Sequence, residues 1–104
     1  MRKIEQQMLN AVHSKISKWT NNNTAVFYIS SGESGNPFGS RSEIYLHGNL
    51  IAEYWHDRKD FAPLEVETTT LRRYPTPTTK SRLRALGAHV TTRKGVTYLD
   101  NVAI

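Results

Sequence analysis

The first apolar positions of the chain recur at helical spacing. Five residues follow one another at intervals of four, four, four and three: Ile4, Met8, Val12, Ile16 and Trp19. Residues spaced in this way form one stripe along an α-helix. The stripe predicts an amphipathic helix of about 17 residues that covers a core, and the three Asn residues at 21–23 are expected to end it. The alternative is a helix that binds a membrane surface or a partner.

β-branched and aromatic runs then predict four strands. The first spans residues 25–29, and the Gly- and Ser-rich stretch 30–41 after it is expected to be a flexible loop. In EIYLHGNLIAEYW, two apolar runs flank Gly48-Asn49, which predicts a β-hairpin over about residues 43–56. The run LEVETTTL predicts a further strand at residues 64–71.

The pattern changes period near the C-terminus. Leu83 and Leu86 predict a short helix over about residues 78–86, with Thr76 or Thr78 as its cap and Pro77 in its first turn. Gly87 is a natural end for this helix. The closing HVTTRKGVTYL predicts a second hairpin with Arg93-Lys94-Gly95 at its tip.

These elements give the order α-β-β-β-β-α-β-β. A chain of 104 residues suits a single domain, 1–104, with one small core. We therefore predict an α+β fold in which an antiparallel sheet is covered on one face by the N-terminal amphipathic helix and the short second helix.

The charge is distributed unevenly. Residues 68–99 hold seven basic side chains and no carboxylate, whereas residues 1–67 hold seven Lys or Arg against eight Asp or Glu. Nearly all of the net charge of +5 therefore belongs to one third of the chain. Nucleic acid is the common polyanion that binds such a segment, and the alternative is a merely solvated face.

The same composition excludes several classes of protein. With no cysteine, the chain forms no disulfide, thiol nucleophile or thiolate zinc site. No apolar run approaches the roughly 20 residues that span a bilayer, and charges interrupt the N-terminus where a signal peptide would be apolar. We expect a cytoplasmic protein with no membrane partner, no cofactor and no metal.

The basic segment supplies the candidate site. Its cations are expected to contact phosphates, Thr78, Thr79 and Ser81 to donate hydroxyl hydrogen bonds, and Tyr74 to be the exposed ring on which a base stacks. The predicted nucleic-acid-binding residues are Arg72, Arg73, Tyr74, Thr78, Thr79, Lys80, Arg82, Arg84, Arg93 and Lys94. A helix followed by a basic hairpin is also half of a winged helix, but LEVETTTL predicts a strand where the preceding helix should be.

Three functions fit this pattern. The first is a non-catalytic protein that binds DNA or RNA, as a monomer or a homodimer. The second is an inhibitor or adaptor that binds an acidic host protein with the same helix and with Trp55 or Tyr54 as an anchor. The third is a small metal-dependent nuclease built from residues around the first hairpin: His47, His56, Asp57, Asp60, Glu53, Glu65 and Glu67.

Four segments resemble a family of small uncharacterised proteins encoded by tailed bacteriophages. They are MRKIEQQMLNAV, YLHGNLIAEYW with its H-G-N turn, TLRRYPTPTTKSRLRALG with its T-T-K/R-S-R-L-x-A-L helix, and GVTYLDN. The resemblance covers most of the chain. It implies a phage accessory protein that acts in the host cytoplasm by binding nucleic acid or host machinery rather than by catalysis.

Overall fold

The computed structural model describes residues 1–30, 39–58 and 62–104. In these ranges the chain forms three helices and eight strands. They are α1 (Lys3–His13), β1 (Lys18–Asn21), β2 (Thr24–Ile29), β3 (Arg41–Leu46), β4 (Asn49–Trp55), β5 (Leu64–Val66), α2 (Thr68–Arg73), α3 (Pro77–Ala85), β6 (Val90–Arg93), β7 (Val96–Leu99) and β8 (Val102–Ala103).

The α+β class and the eight predicted elements are confirmed in their predicted order, and the structure adds β1, α2 and β8. All strand pairs are antiparallel. β1 to β5 form one sheet in sequential order, and β6 to β8 form a second. Most of the predicted loop 30–41 lies outside the described residues, and Arg41 already belongs to β3.

The predicted length of α1 is wrong. The helix ends at His13, where Ser14 is the C-cap and Lys15 has a φ of 53°. Ile16 is 40% exposed, and Trp19 lies in β1 opposite Val26. The Asn residues at 21–23 therefore close the β1–β2 hairpin and do not end a helix.

One face of the five-stranded sheet forms the floor of the core. Val26 pairs with Ile44, and Ile44 with Ala52, so these three buried residues share a face. α1 packs on β2, α2 packs on β4, and α3 contacts α1, β4 and β6. The helices thus bury this face, with Met8, Val12, Leu71 and Leu83 in the same core cluster.

The opposite face of the sheet carries a row of carboxylates. Glu53 pairs in register with Glu43 on one side and Glu65 on the other. Arg41 forms ion pairs with Glu43 and Glu53, at 3.1 Å each, and Arg58 forms one with Glu65 at 3.3 Å. These carboxylates lie across the sheet from the helices, and they have cationic partners of their own.

The β3–β4 hairpin is confirmed, but its turn lies one residue earlier than predicted. His47 and Gly48 occupy the turn with φ values of 51° and 78°, and Asn49 is already in β4 opposite Leu46. The register shifts at Ile44/Tyr45, because Tyr45 pairs with Leu50 and Ile44 with Ala52. Ile51 is the extra residue of this bulge and is buried.

The predicted strand 64–71 is wrong in its second half. β5 ends at Val66, and Thr68–Arg73 form α2, with Leu71 buried. Three successive threonines favour a strand by propensity, but packing overrides propensity in a folded domain. Here the helical turn brings Leu71 into the core cluster.

Candidate nucleic-acid interface

The start and end of α3 follow the predicted signals. Thr76 is the N-cap, and its hydroxyl oxygen accepts a hydrogen bond from the Thr79 backbone N–H at 3.1 Å. Pro77 occupies the first turn, where its missing N–H costs nothing. Gly87 follows the helix with a φ of 107°, and its N–H donates to the Arg84 carbonyl. The helix that holds five of the predicted contact residues is therefore well defined by local chemistry.

Arg82 is not exposed, and this part of the prediction is wrong. It is 4% exposed, its Nη1 lies 2.8 Å from Glu5 Oε2, and its Nε donates to Thr24 Oγ1 at 3.1 Å. Ser81 donates to the same carboxylate oxygen at 2.6 Å. Arg82 and Ser81 thus tie α3 to α1 and cannot contact a phosphate without breaking this network.

The buried carboxylate of Glu5 is held in its charged form. Burial raises the pKa of Glu5, but the hydrogen bonds from Ser81, Arg82 and the Arg2 backbone outweigh that effect, and the pKa lies below its usual value. Glu5 is therefore the counter-charge of Arg82 at neutral pH.

Thr79 is also buried, with 2% of its surface exposed. Its hydroxyl lies 3.0 Å from that of Thr76, so it belongs to the cap of α3. Thr78, one residue earlier, is only half-buried. Of the predicted hydroxyl donors, Thr78 alone remains available at the surface.

Lys80 and Arg84 lie together along the contact between α3 and β6. Lys80 Nζ donates to Thr92 Oγ1 at 2.6 Å, and Arg84 Nε donates to the Val90 carbonyl at 2.6 Å. Neither has a carboxylate partner among residues 1–30, 39–58 and 62–104. Both cations thus lie beside the second sheet, held by neutral acceptors.

Arg93 and Lys94 lie at the tip of the β6–β7 hairpin, as predicted. Because Val90 and Thr92 face α3, Arg93 lies on the other face of the ribbon, where its guanidinium carbon is 4.2 Å from the ring centroid of Tyr98. Lys94 occupies the turn with a φ of 50°. Both residues are exposed, and the hairpin presents positive charge at its tip.

Arg72, Arg73 and Tyr74 are exposed at the end of α2. Tyr74 is 42% exposed, which confirms that this ring is at the surface. α2 is a helix that precedes α3, where the sequence predicted only a strand, so the absence of a preceding helix no longer argues against a winged helix. The helix is nevertheless six residues long and packs on β4, so the arrangement still differs from a standard winged domain.

Six cations of the basic segment thus remain without an ion pair to any described residue. These six free cations are Arg72, Arg73, Lys80, Arg84, Arg93 and Lys94. The free cations belong to α2, α3 and the β6–β7 hairpin, whereas three paired carboxylates line the outer face of the five-stranded sheet. Cations that have no carboxylate partner attract polyanions.

A cavity of about 370 Å³ lies between the β3–β4 turn and the link formed by residues 74–76. Leu46, Asn49 and Ile51 line it from the sheet, and Tyr74, Thr76 and Thr78 line it from the link and α3. We call it the link cavity. The sequence alone did not indicate it, because it depends on α2 and on the exact position of the turn.

The residues of the nuclease interpretation do not come together as one metal-binding group in the described ranges. Within the described ranges, no group of three or more His, Asp or Glu side chains is placed to hold a metal ion. The Asp57 carboxylate accepts hydrogen bonds from the Ser40 N–H and hydroxyl at 3.0 Å each, which lower its pKa. His56 lies 2.8 Å from the Ser42 hydroxyl, and burial lowers its pKa. Asp60 lies outside the described residues.

Glu53, another residue of the nuclease interpretation, is held in an ion pair within the sheet. Burial raises its pKa, the neighbouring carboxylate of Glu43 adds to the rise, and the ion pair with Arg41 opposes it. His47 is exposed on the β3–β4 turn, away from Glu53 in the register of the hairpin.

The aromatic anchors of the host-protein interpretation are not free at the surface. Trp55 is 8% exposed, and the guanidinium groups of Arg41 and Arg58 each lie 5.3 Å from its ring centroid. Tyr54 is half-buried between His13 and His56. Trp55 is therefore buried beneath these arginines, and its use as an anchor would require rearrangement.

The fold is a small α+β domain whose unpaired cations lie on α2, α3 and the β6–β7 hairpin. A family model described as Kyanoviridae Gp96 protein matches residues 1–103, so the chain belongs to this family of bacteriophage proteins. The resemblance to phage proteins is thereby confirmed. No curated protein and no solved structure matches the chain. None of the helices in the described ranges has the length and apolar character needed to cross a bilayer.

Proposed function

We propose that this phage protein is a non-catalytic accessory factor that binds nucleic acid in the host cytoplasm through its free cations. The observation that supports the proposal most strongly is the lack of any carboxylate partner for six cations in the described ranges. Glu43, Glu53 and Glu65 form their ion pairs with Arg41 and Arg58 on the outer face of the sheet, so they do not neutralise these six cations, which remain available to phosphates.

The contacts divide between two regions. Lys80 and Arg84 beside β6, with Lys94 at the hairpin tip, would follow one stretch of phosphates. Arg72 and Arg73 at the end of α2 would contact an adjacent stretch. Contacts of this kind position a nucleic acid without distinguishing its bases, so we expect binding to depend little on sequence.

Removal of two free cations tests the proposal. Lys80→Gln together with Arg84→Gln should weaken binding of a fluorescent oligonucleotide and flatten the dependence of log affinity on log salt by about 1.8, because each phosphate contact contributes about 0.9 on duplex DNA. Fluorescence anisotropy at several salt concentrations gives both values.

The matched control removes the same charge elsewhere. Lys15→Asn together with Lys18→Gln changes two exposed lysines of the first third of the chain, and Asn tolerates the positive φ of residue 15. This control should leave the salt dependence near that of the wild type. Equal losses in both double variants would show that only net charge matters and would overturn the proposed location.

Binding to an acidic host protein remains the alternative. A pull-down from host lysate treated with nuclease distinguishes the two, since a nucleic-acid binder loses its companions and a protein binder keeps them. Incubation of labelled DNA or RNA with Mg²⁺ or Mn²⁺ tests the nuclease interpretation, and intact substrate would exclude it.

A further inference from the structure

The link cavity combines an apolar floor with an aromatic rim. Leu46 and Asn49 are a directly opposed pair at the end of the β3–β4 hairpin, and Ile51 is the bulged residue beside them. Leu46 and Ile51 are buried, so the floor is fixed by core packing. Tyr74 lines the cavity from the link and still exposes 42% of its surface.

Polar side chains line the cavity around this floor and leave its volume open. Asn49 Nδ2 donates only a long hydrogen bond, 3.4 Å, to the His47 carbonyl, and no described residue hydrogen-bonds its Oδ1. The Thr78 side chain also lines the cavity. Sites for flat ligands with polar edges usually combine an apolar floor, an aromatic ring and a few hydrogen-bonding groups, as this cavity does.

The volume of the link cavity and the positive charge beside it indicate which class of ligand fits it. A volume of about 370 Å³ is at the lower end of the range of roughly 300–1,000 Å³ for small-molecule sites. Arg72 and Arg73 directly precede Tyr74 in the chain, are exposed and have no carboxylate partner in the described ranges. A ligand that combines a flat ring with a phosphate fits this combination.

We propose that the link cavity takes one unpaired base of the bound nucleic acid, with the base stacked on Tyr74 and its edge hydrogen-bonded to Asn49. Arg72 and Arg73 contact the phosphates on either side of that nucleotide. The inference rests on the proposed function. It adds that single strands bind more tightly than a duplex, because paired bases offer no free face to a protein ring.

The test compares two single-stranded oligonucleotides with the same number of phosphates, one with normal bases and one made of abasic nucleotides. The wild-type protein should bind the normal strand roughly 5- to 150-fold more tightly, the range expected for stacking of one base on an aromatic side chain. Tyr74→Leu should bind the two strands alike, and Tyr74→Phe should retain the preference of the wild type.

The outcomes separate the two proposals. Equal, salt-dependent binding of both strands by the wild type would overturn the base site and leave the proposed function standing. Failure to bind either strand at low salt would overturn the proposed function and the base site together. Because the main comparison uses the wild-type protein, it does not depend on the folding of a variant.

Discussion

The buried pair Arg82–Glu5 gives the sharpest prediction about stability. Arg82→Met removes the cation and leaves the Glu5 carboxylate 3% exposed, with the Ser81 hydroxyl and the Arg2 backbone as its remaining partners. Breaking a buried pair from one side costs about 3–5 kcal/mol, because an uncompensated charge stays inside. The Arg82 bond to Thr24 is lost as well.

A loss of this size is a large share of the roughly 5–15 kcal/mol that stabilises a domain. Because 1 kcal/mol corresponds to about 4–8 °C in a domain near 100 residues, even the lower bound lowers Tm by about 12–24 °C. Thermal unfolding followed by circular dichroism measures the shift. Neutralising Arg82 therefore does not test nucleic-acid binding, since a folding defect would imitate loss of a contact.

The pH dependence identifies the cause. The pKa of Glu5 is lowered in the folded protein, so its contribution to stability is present above its unfolded pKa, near 4.5, and is lost as pH falls through the folded value. In Arg82→Met the carboxyl protonates more easily, and the deficit relative to the wild type should shrink as pH falls toward that range. Glu5→Leu combined with Arg82→Met should be more stable than Arg82→Met alone.

A free energy of unfolding of Arg82→Met within about 1 kcal/mol of the wild-type value would contradict this prediction, because a loss that small is typical of an exposed ion pair. The same deficit at neutral and at acid pH would contradict it as well. Arg84→Met is the matched control. Its guanidinium is exposed and lacks a carboxylate partner in the described ranges, so a loss of about 1 kcal/mol for its hydrogen bond to Val90 is expected.

Two further predictions concern caps and turns. Thr76→Ala should lower the free energy of unfolding by about 0.5–2 kcal/mol, because the Thr79 N–H loses its acceptor. Thr76→Ser should restore most of this loss. An unchanged free energy of unfolding in Thr76→Ala would contradict the role of Thr76 as the cap. Gly87→Ala should cost about 1–2 kcal/mol, from the positive φ alone, since a Cβ there meets nothing within 4 Å. Gly39→Ala should cost more, because the added Cβ would lie 2.6 Å from Asp57 Oδ2, and equal losses in a urea titration would disprove that contact.

Local signals were enough for most of the fold. The cap, Pro and Gly around α3 act within a few residues, so its bounds follow from sequence. The end of α1 does not, because Ile16 and Trp19 continue the helical spacing by coincidence. Trp19 belongs instead to a local hairpin, where it pairs with Val26, and the turn residues at 21–23 fit the end of a helix as well as they fit a hairpin.

The spacing of residues along α3 carries a signal for the burial of Arg82. Thr79, Arg82, Leu83 and Leu86 are spaced i, i+3, i+4 and i+7, so they share one face of α3, and all four are buried. Lys80 and Arg84 lie beside this face. The partner, Glu5, is 77 residues away in the chain, and no pattern in the sequence connects the two.

The candidate site was predictable only in its charge. Composition located the basic segment, and Tyr74 was predicted as the exposed ring next to its basic residues. The link cavity depends on tertiary events that propensity does not report: α2 forming from a Thr-rich run, and the β3–β4 turn falling at His47 and Gly48. The positions of such junctions between elements depend on tertiary packing, which local sequence patterns do not report.

The central claim is that the free cations form a surface for a polyanion, and the salt dependence of binding by the wild-type protein tests it most directly. If four to six of them contact phosphates, log affinity for duplex DNA should fall against log salt with a slope of about −3.6 to −5.4. A slope near zero, or no binding at low salt, would contradict the account.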